Sequence, residues 1–269
     1  MARWATLVEK RRGERPVMLI DAGDFCSVGA TKDKEIKDRY FFEAVGMLGY
    51  DAMGIAENEI LFGRANLEEV AKRKGLPLVS ANILDKASGE PIVDRYVIRR
   101  IGGGGFLFFR SGGIKIGVFS VAEPSLVYGA DRLVTKYYEV LDPRIAALEA
   151  ASDLRGKGCD MIVALSHREW DLSVELARST PGIDIVVASH SSTASARSLD
   201  VDGVLVVATG SNRTTFAEIE AEWHPDGARL SLIEWDDELL GMEDHPAFAE
   251  LEKKFEKETG KTDIIKKIK

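Results

Sequence analysis

The sequence lacks most of the features that would place it in a specialised class of protein. Its 269 residues include only two cysteines, Cys26 and Cys159, too few for a disulfide framework. No apolar run approaches the roughly 20 residues of a membrane span. The N-terminal stretch MARWATLVEKRR has no apolar core of the kind found in signal peptides. As written, the chain is predicted to be a globular, cytoplasmic protein without a membrane span.

An excess of positive charge is also absent. The formal net charge is −8, and basic and acidic residues are interspersed, which argues against a nucleic acid polymer as partner. Hydrophobic residues make up 45% of the chain and charged residues 30%, which is ordinary for a protein with a sizeable core. No linker, repeat or low-complexity segment divides the chain. We therefore predict a single domain over residues 1–269.

Histidine is scarce, and two of the four histidines follow buried strands. The apolar runs Met161–Leu165 and Ile183–Ala188 are typical of strands covered on both faces, and Leu172–Arg178 between them has helical character. Each run leads into a Ser-His pair, which contains His167 or His190. A lone histidine at a strand end is more often hydrogen-bonded scaffolding. Two at the carboxyl edge of neighbouring parallel strands predict a shared crevice.

Other predicted strands bring polar residues to the same kind of edge. Val17–Ile20 precedes Asp24, Asp51–Ile55 precedes Glu57 and Asn58, and Leu76–Ala81 precedes Asn82. Two imidazoles with nearby carboxylates suit a divalent first-row metal ion. The sequence therefore predicts a metal site at this edge.

The remaining pattern mixes helices with antiparallel strands. We predict antiparallel pairing among Tyr96–Ile101, Phe106–Phe109 and Lys115–Val121, and between Phe216–Glu222 and Arg229–Trp235. A further strand is predicted over Val204–Thr209. The predicted helices are Ala2–Arg12, Tyr40–Leu48, Leu67–Arg73, Pro143–Gly156 and His245–Thr259. The last one carries an apolar stripe that we expect to cover a sheet. The fold class predicted from these elements is α/β.

Six segments resemble the calcineurin-like metallophosphoesterases, and most of all their bacterial 5'-nucleotidase branch. They are LIDAGDF, DAMGIAENEILFG, PLVSANI, IKIGVFSV, CDMIVALSH and GIDIVVASHSS. The resemblance implies a four-layer α/β/β/α sandwich with two mixed sheets. It also implies hydrolysis of a phosphoester in a small phosphorylated molecule, at a site that in the family holds two metal ions.

The motifs of the family match this chain unevenly. Its Gly-Asp motif implies that Asp24 is a bridging metal ligand, and its Ser-His motif implies that His167 is a ligand of one metal ion. Where the family has a metal-binding Asn followed by a catalytic His, this chain has Glu57 and Asn58. The Gly-His-x-His motif aligns with residues 189–192, so that His190 is kept and Ser192 takes the place of the second His.

The resemblance therefore implies one metal half-site. Asp24, Glu57, His167 and His190 would hold a single Mn²⁺, Fe²⁺ or Zn²⁺. A second metal is not expected, because the opening Asp-x-His of the family has no counterpart and the first strand is apparently missing. The pocket would be lined by Asn58, Asn82, Arg168 and Ser192. Asn58 cannot serve as a general acid, since an amide does not titrate in the relevant range. Phosphoesterase activity should be weak, altered or absent.

Two alternatives stay open at this point. The chain as written could begin after an upstream strand and an export signal, which would restore two ligands, make the protein periplasmic and still leave the site degenerate. The domain could instead be a non-catalytic metal-binding or scaffold module that binds a protein or small-molecule partner. The branch usually carries a C-terminal nucleotide-binding domain, and this chain ends before one could begin. Substrate preference and oligomeric state are therefore not predicted.

Overall fold

The computed structural model describes residues 2–26, 34–102, 113–130, 134–190, 197–209, 217–224, 227–234 and 241–260. Within these ranges, no helix is both long enough and apolar enough to cross a membrane. Helices and strands alternate through most of the chain.

The helices, in chain order, are α1 (Ala2–Glu14), α2 (Lys34–Leu48), α3 (Glu57–Phe62), α4 (Arg64–Lys74), α5 (Pro124–Ala130), α6 (Val134–Tyr137), α7 (Pro143–Gly156), α8 (Trp170–Ser179) and α9 (Pro246–Thr259). The strands are β1 (Ile20–Asp21), β2 (Ala52–Gly54), β3 (Leu78–Val79), β4 (Ile83–Asp85), β5 (Tyr96–Ile101), β6 (Ile114–Ala122), β7 (Tyr138–Val140), β8 (Met161–His167), β9 (Ile185–Ala188), β10 (Arg197–Val201), β11 (Val204–Ala208), β12 (Ala217–His224) and β13 (Gly227–Glu234).

The largest sheet has six strands in the order β10-β11-β9-β8-β6-β5. Its four central strands are parallel, whereas β5 and β10 pair antiparallel at the two edges. The predicted β-α-β unit is confirmed, because β8 and β9 are parallel neighbours with α8 between them in the chain. The predicted antiparallel pairing of Tyr96–Ile101 with the strand at Lys115–Val121 is also confirmed. The predicted strand Phe106–Phe109 lies outside the described residues.

A second, parallel sheet has the order β1-β2-β3 and consists of very short strands. Two antiparallel pairs complete the strand inventory of the described chain, β4 with β7 and β12 with β13. The latter pair confirms the predicted hairpin.

Neighbouring side chains along the central strands pack into different layers of the core. Phe119 on β6 packs with the helix residues Ala147 and Leu154, whereas its neighbour Val118 packs with Ala52 and other residues of the short sheet. On the far side of the short sheet, helices α2 and α4 pack against β2 and β3 in a separate apolar cluster. The order helix, sheet, sheet, helix confirms the predicted four-layer α/β/β/α class.

Helix α9 corrects one expectation. Its buried residues Phe248 and Leu251 pack with Ala5, Ala44 and Leu48, which belong to α1 and α2. The stripe therefore covers two other helices, and the prediction that it covers a sheet was wrong. An apolar stripe indicates that a helix face is buried but does not specify the partner.

Candidate metal centre

Two adjacent parallel strands bring His167 and His190 together. His167 is the last residue of β8, and His190 lies two residues beyond the end of β9. Because Ser166 is in register with Ala188, the two chain segments leave the sheet side by side. The imidazole rings are 5.3 Å apart and nearly edge to face. His167 is buried, and the side chain of His190 is 34% exposed.

Glu57 reaches the same point from the other sheet. It is the first residue of α3, shortly after β2 ends at Gly54. Its Oε2 lies 3.2 Å from His167 Nε2, and its Oε1 lies 3.6 Å from His190 Nδ1. One ligand atom from each of the three residues can be chosen so that all lie within 4.8 Å of one another. The structure thus brings three of the four predicted ligands into one cluster that spans both sheets.

The facing atoms suit a divalent cation. Glu57 Oε2 and His167 Nε2 are both buried, and neither forms a hydrogen bond of acceptable geometry despite their short separation. Buried polar atoms are normally satisfied, so a facing pair of this kind points to an additional group between or beside them. Two imidazoles and a carboxylate are the ligands that Zn²⁺, Mn²⁺ and Fe²⁺ accept. The residues present therefore fit a metal ion.

Asp24, the fourth predicted ligand, sits next to this cluster on a tightly turned loop. Gly23 and Asp24 both have positive φ angles, 99° and 68°. Such a conformation is routine for glycine but costs aspartate about 1–3 kcal/mol. Asp24 Oδ1 accepts a hydrogen bond of 3.2 Å from the backbone N–H of Asn58. The carboxylate is thereby fixed close to α3, although its atoms are not among the three that cluster within 4.8 Å.

The carboxylate of Glu59 holds the Asp24 loop against α3. It is fully buried and accepts backbone N–H bonds from Asp24 at 3.0 Å, Cys26 at 2.8 Å and Ala56 at 2.9 Å. Sequence reasoning gave this residue no role. The available signal was a glutamate at the third helical position, where a side chain commonly reaches back to the N-cap N–H.

Burial and neighbouring charges shift the pKa values of the carboxyl groups at this site. Burial raises the pKa of Asp21 to about 6 and that of Glu59 to about 7, against the opposing effect of the N–H groups they bind. Burial also raises the pKa of Asp24, although the charge of His167 opposes it. For Glu57, burial would raise the pKa, but the charges of the neighbouring His167 and His190 outweigh it, so that its pKa is lowered.

His167 responds in the complementary direction. Burial alone would lower its pKa, but the Glu57 carboxylate and the charges of Asp24 and Glu59 raise it by more. On its other side, His167 Nδ1 lies 2.7 Å from the hydroxyl oxygen of Ser189. The ring is thus held between a carboxylate and a hydroxyl group.

The predicted pocket residues have different surroundings. Asn82 is fully buried, and its amide bonds the backbone of Ala122 and Leu141, so it acts as scaffold in this structure. The guanidinium of Arg168 donates to Glu123 at 2.8 Å and to the carbonyl of Leu172 at 3.1 Å. Asn58 is half-buried beside Asp24. Ser192 lies outside the described residues.

Comparison with solved structures defines the fold class. Sulfate thiohydrolase SoxB of Thermus thermophilus superposes with a TM-score of 0.80 at 18% identity, covering 96% of this chain and 47% of that one. The calcineurin-like phosphoesterase YfkN of Bacillus subtilis superposes with a TM-score of 0.75 at 19% identity, covering 96% and 89%. The fold is that of the calcineurin-like metallophosphoesterases.

Proteins similar in sequence indicate the branch of this class that the chain resembles. The 5'-nucleotidase of Bos taurus is 32% identical over 205 residues, which are 72% of this chain and 32% of that protein. The snake venom 5'-nucleotidase of Gloydius brevicauda is 28% identical over 197 residues, with the same coverage. The trifunctional nucleotide phosphoesterase YfkN of Bacillus subtilis is 26% identical over 215 residues, 71% of this chain and 14% of the protein.

The chain is therefore a homologue of the 5'-nucleotidases and corresponds to about a third of the length of the nucleotidases it matches. No family model matches the sequence.

Proposed function

We propose that this domain is a metal-dependent phosphoester hydrolase of the 5'-nucleotidase kind that uses one divalent cation. The observation that carries the proposal is the convergence of Glu57, His167 and His190 within 4.8 Å, with two buried atoms lacking hydrogen-bond partners. Mn²⁺, Fe²⁺ and Zn²⁺ suit the nitrogen and oxygen ligands. Homology to nucleotidases supports a nucleoside phosphate or a related phosphoester as substrate.

Each residue of the site has a separate task in this proposal. Glu57, His167 and His190 hold the cation, and Asp24 adds a carboxylate from the adjacent loop. A bound divalent cation would supply Lewis-acid polarisation of a phosphoryl oxygen. The N–H of Asn58 orients Asp24 through its 3.2 Å hydrogen bond. Glu59 fixes the loop that carries Asp24.

Two properties of the site favour slow turnover. The side chain of Asn58 cannot donate a proton to a leaving group, because an amide is not a general acid. The site is also rich in carboxylates, with Asp21, Asp24, Glu57 and Glu59 around two histidines. Arg168, the nearest residue in sequence with a fixed positive charge, is paired with Glu123. An anionic phosphoester would meet net negative charge here unless a cation is bound.

Metal content and hydrolysis should be measured on the same preparations. The protein would be purified without added metal, and Mn, Fe and Zn counted by mass spectrometry before and after soaking in Mn²⁺ or Zn²⁺. Hydrolysis of p-nitrophenyl phosphate and of a nucleoside 5'-monophosphate would then be assayed. We expect about one metal ion per chain and slow hydrolysis that is lost in Asp24→Ala and His167→Ala.

The matched control is His245→Ala. His245 is the N-cap residue of α9 and pairs with Glu9 of α1, away from the three clustered ligands, so its loss should leave metal content and hydrolysis unchanged. Two metal ions per chain would refute the single-cation site. No metal after soaking, together with no hydrolysis, would refute the proposal as a whole.

A non-catalytic metal-binding module is the second candidate, and Asn58 favours it. This residue has no titratable side chain at the position where the family resemblance implies a proton donor. One bound metal ion per chain with no hydrolysis of either substrate above background would favour this candidate. Restoration of hydrolysis by Asn58→His would instead assign the loss of activity to that single position.

A further inference from the structure

Ser189 connects three parts of the site through one hydroxyl group. It follows directly after β9, one residue before His190. Its Oγ lies 2.7 Å from His167 Nδ1 and donates to the backbone oxygen of Ala22 at 3.2 Å. Ala22 belongs to the segment that leads from β1 to Asp24. One side chain thus touches the His167 strand end, the His190 strand end and the Asp24 loop.

We propose that Ser189 is a positioning residue that orients His167 so that its Nε2 faces the cation. The inference rests on the proposed metal site. A serine hydroxyl carries one hydrogen, and the carbonyl oxygen of Ala22 can only accept. When the hydroxyl donates to Ala22, its oxygen must accept from His167. Nδ1 of His167 then carries the hydrogen, and the lone pair of the neutral ring lies on Nε2.

This tautomer matches the surroundings of the ring. Nε2 is the nitrogen that faces Glu57 Oε2 at 3.2 Å and has no hydrogen bond of acceptable geometry. Two groups with lone pairs facing each other repel unless a proton or a metal cation lies between them. Metal-binding histidines commonly donate their second ring N–H to an oxygen atom, which fixes both tautomer and ring orientation. Ser189 supplies that oxygen.

The hydroxyl is a feature of this chain and not of the family motif it resembles. The Gly-His-x-His pattern places a glycine where this chain has Ser189, and glycine has no side chain to bond a ring nitrogen. A neighbouring serine provides a natural comparison. Ser166 precedes His167 on β8, is fully buried, and its hydroxyl bonds Ser173 at 2.9 Å.

The experiment compares four proteins: the parent, Ser189→Ala, Ser189→Thr and Ser166→Ala. Zn²⁺ alone is titrated by calorimetry, and thermal unfolding is recorded in the presence of chelator. Loss of an outer-sphere partner typically weakens metal binding about 10- to 100-fold, which is the effect we expect for Ser189→Ala. Ser189→Thr keeps the hydroxyl and should restore most of the affinity. Ser166→Ala should bind Zn²⁺ as the parent does.

The second readout is nitrogen-detected NMR of the histidine rings in the zinc-loaded proteins. We expect a protonated Nδ1 and a metal-bound Nε2 for His167 in the parent, with faster exchange of the Nδ1 hydrogen in Ser189→Ala. A purely structural serine would lower the unfolding temperature in chelator and leave zinc affinity unchanged, and that result would overturn the proposal. Binding of zinc to Nδ1 of His167 would also overturn the proposal.

The experiment gives a different result if the proposed metal binding itself is absent. If the parent itself binds no Zn²⁺, the metal site is refuted, and the role of Ser189 in orienting a ligand is refuted with it. If the parent binds Zn²⁺ and Ser189→Ala binds equally well, only the role of Ser189 is refuted.

Discussion

His167 and Glu57 meet at the junction of the two sheets, with Nε2 and Oε2 separated by 3.2 Å and both atoms buried. The two residues come from different layers, His167 from the end of β8 and Glu57 from the start of α3. Their contact places a carboxylate of the site directly against one of its imidazoles. It also makes Glu57 the residue whose removal should affect metal binding most directly.

Glu57→Ala should abolish the stabilisation of the fold by metal. A ligand present at 100 times its Kd stabilises a folded protein by about 2.7 kcal/mol, so saturating Mn²⁺ should raise the Tm of the parent measurably. The variant loses one of three clustered ligands and should show no such rise. The measurement is thermal unfolding with Mn²⁺ and with chelator.

Glu169→Ala is the control for that experiment. Its Oε1 lies 3.8 Å from His190 Nε2, but the side chain is 52% exposed and is not in the three-residue cluster. The control should retain the Mn²⁺-dependent rise in Tm. An equal loss in both variants would mean that general negative charge, rather than ligation by Glu57, attracts the cation.

Glu59→Gln should destabilise the fold by about 1–3 kcal/mol, the cost of leaving buried polar groups unsatisfied. Both oxygens of Glu59 accept backbone N–H groups, and a glutamine must turn its own NH₂ towards at least one of these donors. Urea unfolding in the presence of chelator measures the cost. Glu68→Gln on the exposed face of α4 is the control and should change stability by no more than about 0.5 kcal/mol. Equal effects would argue against the buried carboxylate as the cause.

Asp21→Asn should stabilise the protein more at pH 8 than at pH 4. Burial raises the pKa of Asp21 from its ordinary value of 3.8 to about 6. The folded state therefore binds the proton more tightly than the unfolded state, and the parent loses stability as the pH rises from about 4 to above 6. The variant has no proton to lose and keeps an acceptor for the N–H of Gly23. Because the residue is only half-buried, we expect a gain of about 1–2 kcal/mol at pH 8.

Urea unfolding at both pH values, in chelator, tests this dependence. The control is Asp200→Asn, in which an exposed carboxylate accepts the N–H of Gly203 at 3.0 Å in a similar turn. The control should stay within about 0.5 kcal/mol of the parent at both pH values. A gain for Asp21→Asn of the same size at pH 4 and pH 8 would contradict the ionisation argument.

Phe255→Ala should cost about 3–5 kcal/mol of stability without changing metal affinity. The ring is fully buried and packs edge to face on Tyr40 at 5.4 Å, in the contact of α9 with α2. None of the three clustered ligands lies on α2 or α9. Unfolding free energy and the Kd for Zn²⁺ are the two measurements, with the exposed Glu256→Ala as control. A large change in Kd would show that α9 is coupled to the site.

Strand ends were the most informative part of the sequence. Buried apolar runs followed by polar residues predicted β8 and β9 as parallel neighbours, and the convergence of His167 and His190 followed from that topology alone. Glu57 was predicted on the same grounds from the strand before it. These inferences succeeded because a parallel sheet aligns its carboxyl edges regardless of details of packing.

Contacts that depend on side-chain direction did not follow from the pattern. Glu59 and Ser189 are ordinary polar residues in sequence, and their roles depend on which backbone groups face them after folding. Similarly, β10 and the short pair β4–β7 carry too little apolar alternation to be recognised as strands. The face covered by α9 could not be predicted, because a stripe of three apolar residues fits a helix pair as well as a sheet.

The position of the ligand cluster across two sheets has a mechanical consequence. Glu57 follows a strand of one sheet and the two histidines follow strands of the other. A cation bound by all three residues would therefore link the two sheets. Separation of the two sheets during unfolding would then require the breaking of coordination bonds as well as the exposure of apolar surfaces. Amide hydrogen exchange in β2 and β8 should slow together on loading with Zn²⁺, because the cation would link the two layers into one cooperative unit.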